Sequence, residues 1–360
     1  MEPGAEQKVA EHAEEQEHDD GGLVPLALMG TERPITQVKF NSDGDILFTA
    51  SKANHISAWF TDGGRWIGNY LGHRGVIWSF DVNRATTLMV SGSGDSSIIF
   101  WDVMTGRVLA QWHYETIVRV VAFSYGDQSL LVIADRQGDV PSMIYVYDVP
   151  AMDQIPAERP EARIALIHES DAKITRAVWG FLNEDIVTGL EDGTIFVWNL
   201  KNREITHRIP AHSKAISCIA VGKNGTGFLT TSHDGFAHLW DMQTYEKLRS
   251  YDTGIPLNTG DVLLDSEHIL VGGGQEASQV TTSATSVDKL ASGSEDGMVR
   301  LLHLNKAFFT LTKEKKRHPA KAAARKERKK AAKAAAAAAK VSASSETPAA
   351  AAPAPAEASA

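Results

Sequence analysis

The sequence predicts an all-β fold, a WD-repeat β-propeller, on three observations. His73 stands 22 residues before Asp95 and 28 before Trp101-Asp102, and His212 stands 22 before Asp234 and 28 before Trp240-Asp241. Trp59, Trp101, Tyr147, Trp198 and Trp240 succeed one another at spacings of 42, 46, 51 and 42 residues. Between these anchors lie short apolar runs such as Val76–Phe80 and Ile98–Trp101, broken by turns at Gly94-Asp95 and His233-Asp234-Gly235. Runs of that length bounded by Gly and Asp read as strands. A period of about 40–45 residues with Gly-His and Trp-Asp ends marks four antiparallel strands per blade.

Within a repeat, the turn carboxylate and the closing aromatic keep a fixed distance. Asp95 to Trp101, Asp192 to Trp198, Asp234 to Trp240 and Asp296 to Leu302 are each six residues. The spacing predicts a buried polar chain. Asp95 accepts from turn N–H groups and from His73, His73 bonds a strand hydroxyl (Ser91 being the candidate), and that hydroxyl meets the Trp101 indole. His212, Asp234 and Trp240 repeat the pattern. Every member must be satisfied, because an orphaned buried polar group costs about 1–3 kcal/mol.

Other repeats depart from it. Thr31 takes the histidine position of the first repeat, Ala53 the turn position and Phe60 the terminal Asp. Ser170 takes the histidine position of the fourth, which ends Trp198-Asn199. These repeats must rely more on apolar packing. The longer third and fourth spacings predict inserted loops near Asp139–Ser142 and over 150–161.

Ring closure is expected through Leu23–Met29 as the outer strand of the last blade, where an edge proline is tolerated. The last repeat is visible from Leu290 to Leu301. The sixth should end near Val280-Thr281-Thr282, yet the last ends only 20–22 residues later. Half a blade or more is therefore absent between Thr285 and Asp288, including the Gly-His lead-in and first inner strand of the last blade. A truncated chain and a loss in sequence assembly give the same pattern.

Charge divides the chain. Residues 1–20 carry eight acids and one base, residues 313–340 twelve bases and two acids, and the whole chain −9, which leaves 21–312 at −10. The expected organisation is a disordered acidic extension (1–22), a propeller (23–312) and a tail (313–360) that is basic and Lys/Ala-rich, then Ala/Pro-rich. The single cysteine, Cys218, lies in the apolar run Ile216–Val221 and is expected in the core. A lone cysteine forms no intrachain disulfide, which points to a reducing compartment. With no signal peptide and no apolar span of about 18 residues, a cytoplasmic protein without membrane contact is expected.

No catalytic, metal or cofactor site is expected. The His/Asp pairs repeat at blade spacing, which favours a structural network over acid–base chemistry. Gly272-Gly273-Gly274-Gln275 lacks the Gly-Lys-Ser/Thr end of a phosphate loop and reads as a glycine-rich inter-strand turn. Glu191-Asp192 and Glu295-Asp296 lie in turns, where exposure is expected. The Lys/Arg tail could serve as a nuclear import signal at Lys326–Lys330, contact RNA phosphates, or be a solvated extension.

Specific runs add to this reading: Ile35–Asn41, Gly72–Trp78, Lys173–Gly180, and above all Gly272, Gly273, Gly274, Gln275, Glu276 and Ala277 followed by Val280-Thr281-Thr282-Ser283. On these the chain resembles subunit I of eukaryotic translation initiation factor 3 over roughly 23–310. The resemblance implies a seven-bladed propeller, here with blades six and seven truncated. It implies a non-catalytic scaffold that supports 43S assembly and mRNA recruitment. Its partners would be the B and G subunits of the same factor, the first through a C-terminal helical segment docked on the later blades. The small ribosomal subunit would be reached indirectly. A WD-repeat adaptor in signalling or nuclear complexes and a direct RNA binder are the alternatives.

Overall fold

The computed structural model describes residues 26–29, 33–168, 170–222, 225–263, 268–274, 280–286 and 289–303. Residues 1–25 and 304–360, with the charged termini, lie outside that set, as do Thr31, Gln275 and Glu276. Twenty-six strands are described, in six four-stranded antiparallel sheets and one two-stranded sheet.

The first blade is β2 (Ile35–Phe40), β3 (Ile46–Ser51), β4 (His55–Phe60) and β5 (Trp66–Leu71). The second is β6 (Ile77–Val82), β7 (Leu88–Ser93), β8 (Ser97–Asp102) and β9 (Val108–His113). The third is β10 (Val118–Phe123), β11 (Ser129–Ala134), β12 (Met143–Asp148) and β13 (Ile164–Ile167). The fourth is β14 (Ile174–Trp179), β15 (Asp185–Leu190), β16 (Thr194–Asn199) and β17 (Glu204–Pro210). The fifth is β18 (Ile216–Val221), β19 (Gly227–Ser232), β20 (Phe236–Asp241) and β21 (Lys247–Asp252). A short sheet of β22 (Leu257–Val262) and β23 (Ile269–Gly273) follows. The closing blade is β24 (Val280–Thr285), β25 (Lys289–Ser294) and β26 (Met298–His303), with β1 (Leu26–Met29) as its outer strand.

Closure is carried by β1, which pairs antiparallel with β26 in the register Leu26↔Leu301 to Met29↔Met298. Leu28, 4% exposed, joins the apolar cluster formed with Val299 and Leu301 of β26 and Ile35, Val38 and Leu47 of the first blade. Apolar clusters of this kind fill each space between successive four-stranded blades.

Two expectations are corrected here. The last blade is not truncated: among the described residues six blades, the closing one included, have four strands, and the sheet in sixth place has two. The shortfall also lies elsewhere than between Thr285 and Asp288. Val280–Thr285 does not end a sixth blade but forms β24, the innermost strand of the last one, so the missing strands are the outer pair of the short sheet. The physical reason is the ring itself. Inner-strand side chains reach across to the next inner strand, and the hydroxyls of Val280-Thr281-Thr282-Ser283 suit that place.

Those cross-links run all the way round. Thr36 Oγ1 donates to Ile77 O (2.7 Å), Ser79 Oγ to Val121 O (3.3 Å) and Trp179 Nε1 to Ala122 O (3.0 Å). Thr175 Oγ1 donates to Ile216 O (2.6 Å) and Cys218 Sγ to Gly260 O (3.4 Å). Asn258 Nδ2 donates to Val280 O (3.2 Å) and Thr281 Oγ1 to Ile35 O (2.6 Å). The inner rim is thus continuous through the short sheet. Cys218 is half-buried at this junction rather than fully in the core, because its strand position faces the neighbouring blade.

The long connection 149–163 of the third blade is tied down by its own side chains. Trp112 Nε1 donates to Pro156 O at 2.9 Å, and the Arg159 guanidinium sits 4.7 Å from the Tyr114 ring centroid. Each contact covers aromatic surface that would otherwise be wet.

Candidate functional site

The turns between the second and third strands of the blades bring the predicted polar residues to one end of the ring. In the second blade, His73 Nδ1 lies 2.9 Å from Asp95 Oδ2, His73 Nε2 2.8 Å from Ser91 Oγ, and Trp101 Nε1 2.8 Å from the same oxygen. The indole can only donate. Ser91 must therefore accept from Trp101 and donate to Nε2, and Nδ1–H donates to the carboxylate. Only this tautomer satisfies all four groups. Asp95 also accepts from Arg74 N (2.8 Å), Ser97 N (3.1 Å) and Ser97 Oγ (2.7 Å). Burial raises its pKa, but these hydrogen bonds outweigh burial and hold the carboxyl well below the usual range.

The fifth blade repeats the arrangement with a threonine in the serine's place. His212 Nδ1 lies 3.1 Å from Asp234 Oδ2, His212 Nε2 2.9 Å from Thr230 Oγ1, and Trp240 Nε1 2.9 Å from that hydroxyl. Burial pushes the His212 imidazole down to about 4 despite the nearby Asp234 charge, so the ring is neutral. Asp234 sits below its ordinary value: burial raises it, and the N–H groups of Phe236 and Ser213 with His212 more than offset that.

The other blades keep fragments. Trp198 Nε1 donates to Thr188 Oγ1 (3.2 Å) and Trp59 Nε1 to Thr49 Oγ1 (3.1 Å), with no histidine on the hydroxyl. Asp192 only closes its own turn, accepting from Thr194 N at 2.9 Å. In the fourth blade it is His168, not Ser170, whose ring lies beside Trp198, at 6.0 Å between centroids. Its Nε2 bonds Ala172 O at 3.1 Å instead of the threonine. The sequence hid this because the lead-in is two residues longer there. In the last blade Asp296 bonds Ser294, Met298 N (2.9 Å) and Arg300 Nη2 (3.0 Å). Sequence reasoning also missed Thr230, Thr188 and Thr49. Their signal was a hydroxyl ten residues before each tryptophan.

The glycine run is placed differently from the expected turn. Gly272 and Gly273 lie within β23, and only Gly274 lies beyond it. A Cβ on Gly273 would stand 2.1 Å from Pro256 O, a distance no side chain tolerates, so glycine is needed for close approach inside the strand.

The His/Asp pairs are consumed by their own network, and among the described residues no group of three or more His, Cys, Asp or Glu could hold a metal. What remains on that end of the ring is charge. Glu191, Asp192 and Asp296 are exposed there. No described helix is long and apolar enough to cross a membrane.

The EIF3I family model matches residues 23–290, three quarters of the chain. The chain belongs to the family of eukaryotic translation initiation factor 3 subunit I. It is 37% identical over 267 residues to that subunit from Nematostella vectensis, covering 74% of this chain and 81% of the relative. The identity is 35% over 267 residues to the Bos taurus protein, with the same coverages. With the Neurospora crassa protein it is 32% over 330 residues, covering 81% of this chain and 95% of the relative. Family members thus match the propeller itself. The last alignment is longer than the roughly 292 residues that 81% of this chain supplies. At least some 38 positions of that relative therefore face no residue here, which agrees with the short sheet.

Proposed function

We propose that this chain is a non-catalytic scaffold subunit of eukaryotic translation initiation factor 3, working in the cytoplasm. It would support assembly of the 43S pre-initiation complex and recruitment of mRNA to the small ribosomal subunit. The observation that carries the reading is family membership over residues 23–290, most of the ring.

The partners in this reading are the factor's B and G subunits, the first engaged through its C-terminal helical segment, with the small ribosomal subunit reached through them. Exposed turn carboxylates Asp192 and Asp296 of the later blades suit a basic helix, because complementary charge steers encounter and disfavours wrong partners. Immunoprecipitation of the native protein is expected to recover the B and G subunits together with small ribosomal subunits. Recovery only as a free monomer from extracts active in translation would overturn the proposal.

A second contact is favoured by the +10 charge of residues 313–340: direct binding of RNA phosphates by the tail. Filter binding with and without those residues tests it. The affinity should fall steeply with salt as counterions are released; a salt-insensitive affinity, or one unchanged by the deletion, excludes it.

A further inference from the structure

The short sheet leaves the ring with a notch whose walls have a definite chemistry. In the first five blades the second strand is almost wholly buried, as in β7 and β11, where every residue is. All five residues of β23 are only half-buried, and among the described residues no strand pairs with its outer edge. The aromatic that closes a blade packs against the preceding blade: Trp101, Tyr147, Trp198 and Trp240 are at most 3% exposed. Leu302 holds that position in the closing blade and is only half-buried, because the sheet before it lacks its outer half.

The opposite wall belongs to the fifth blade. Tyr251 pairs with Ala237, and Tyr251, Ile269 and Val271 all pack against the cluster of Leu229, Ala237, Leu257 and Val262. Arg249 pairs with Leu239, which lines a hollow of about 140 Å³ with Leu248 and Val262. Cross-strand partners share a face, so Arg249 is turned toward the notch. Arg249 is exposed and meets no carboxylate among the described residues, whereas Lys247 pairs with Trp240 and lies over its ring on the other face. β23 itself, Ile-Leu-Val-Gly-Gly, carries neither the charge nor the proline that ordinarily blocks pairing at an edge.

We propose that the short sheet is completed in trans by an extended acidic–apolar segment of a partner, adding antiparallel to the outer edge of β23. Main-chain bonds to β23 would hold it, apolar side chains would cover Tyr251, Ile269, Val271 and Leu302, and a carboxylate would meet Arg249. Charge argues against a second copy as the occupant. Edge-to-edge pairing of two β23 strands would bring two Arg249 guanidinium groups together without an acid between them.

The test uses the full chain and short labelled peptides of alternating valine and glutamate, or valine and lysine. Fluorescence anisotropy reads affinity, and hydrogen exchange reads protection of the Ile269–Gly273 amides. The expected result is saturable binding of the glutamate peptide with new protection in β23. Arg249→Glu should weaken that peptide at least tenfold and strengthen the lysine peptide, a reversal that misfolding cannot produce. Equal binding of both peptides, no saturable binding, or protection elsewhere than in β23 overturns the proposal. So does a concentration-dependent dimer that protects β23 without peptide. Failure here leaves the initiation-factor reading untouched, since that rests on co-purifying subunits.

Discussion

Ser91 Oγ sits 2.8 Å from both the Trp101 indole nitrogen and His73 Nε2, so one fully buried hydroxyl completes the hydrogen bonding of two buried rings. Replacing it by alanine orphans an N–H donor and an imidazole acceptor together. Ser91→Ala is expected to cost about 2–4 kcal/mol on that count. Ser91→Thr should recover most of the loss, because Thr230 performs the same role in the fifth blade. Urea denaturation of the three proteins checks this. An alanine variant as stable as the parent would remove the network from any structural role.

Asp234 offers a milder test of the second copy. Its carboxylate accepts from His212, Ser213 N (3.0 Å) and Phe236 N (2.9 Å), all of which regain some solvent when the side chain is cut. Asp234→Ala should therefore lower stability by about 1–3 kcal/mol. A thermal melt superimposable on the parent's would count against the assignment.

Gly193 joins the fourth blade's turn to the lead-in of the fifth. Its φ is +87°, and a Cβ there would lie 2.3 Å from His212 O and 2.7 Å from Lys214 O. Both obstacles are backbone and cannot rotate away. Gly193→Ala is expected to destabilise by about 2 kcal/mol or more, combining left-handed strain with the clash. Gly63, at φ +73° with nothing within 4 Å of its Cβ position, isolates the strain alone. Gly63→Ala should cost about 1 kcal/mol. Equal losses at the two sites would show that the close approach to His212 is not maintained in solution.

Closure depends on four residues. Leu28 is a buried side chain of β1, and deleting residues 1–29 would leave the outer edge of β26 unpaired and expose Val299 and Leu301, each fully buried here. An unpaired apolar edge invites association. Leu28→Ala should cost about 2–3 kcal/mol, and the deletion should lower the melting temperature further and yield aggregates on size exclusion. A monodisperse deletion protein melting with the parent would mean that the ring does not close through β1.

The repeat was legible because its anchors are rare residues at a long, regular period. Two tryptophans with His and Asp at identical offsets leave little room for another fold. Substituted blades were less legible, because threonine is common and its ten-residue offset to tryptophan stands out only once the indole bond is seen. His168 escaped because a longer lead-in moved it off the expected position. The glycine run was misread for a related reason: Gly273 answers to Pro256 O, a contact between strands that no local pattern reports. Counting residues showed that strands were missing. It could not say which ones, since that depends on inner-rim bonds such as Thr281 to Ile35, 246 residues apart.

Acid should weaken this fold in two separate windows. His212 titrates at about 4 when folded against 6.5 for the free side chain. Between those values the unfolded chain binds a proton that the folded chain does not, so stability falls as pH drops from about 6.5 to about 4 and is insensitive to His212 below that. His55, His168 and His238, also lowered by burial, act in the same direction. Asp95 and Asp234 behave differently. Their folded values lie below the ordinary 3.8, so their contribution is intact above that pH and is lost as pH falls further. Melting temperatures at pH 7, 5 and 3 should therefore drop in both intervals. His212→Asn removes one titrating group and should shrink the drop between pH 7 and 5, and that between 5 and 3 only by the part of the His212 window above pH 4. If the variant loses as much as the parent between pH 7 and 5, His212 is not held neutral by burial.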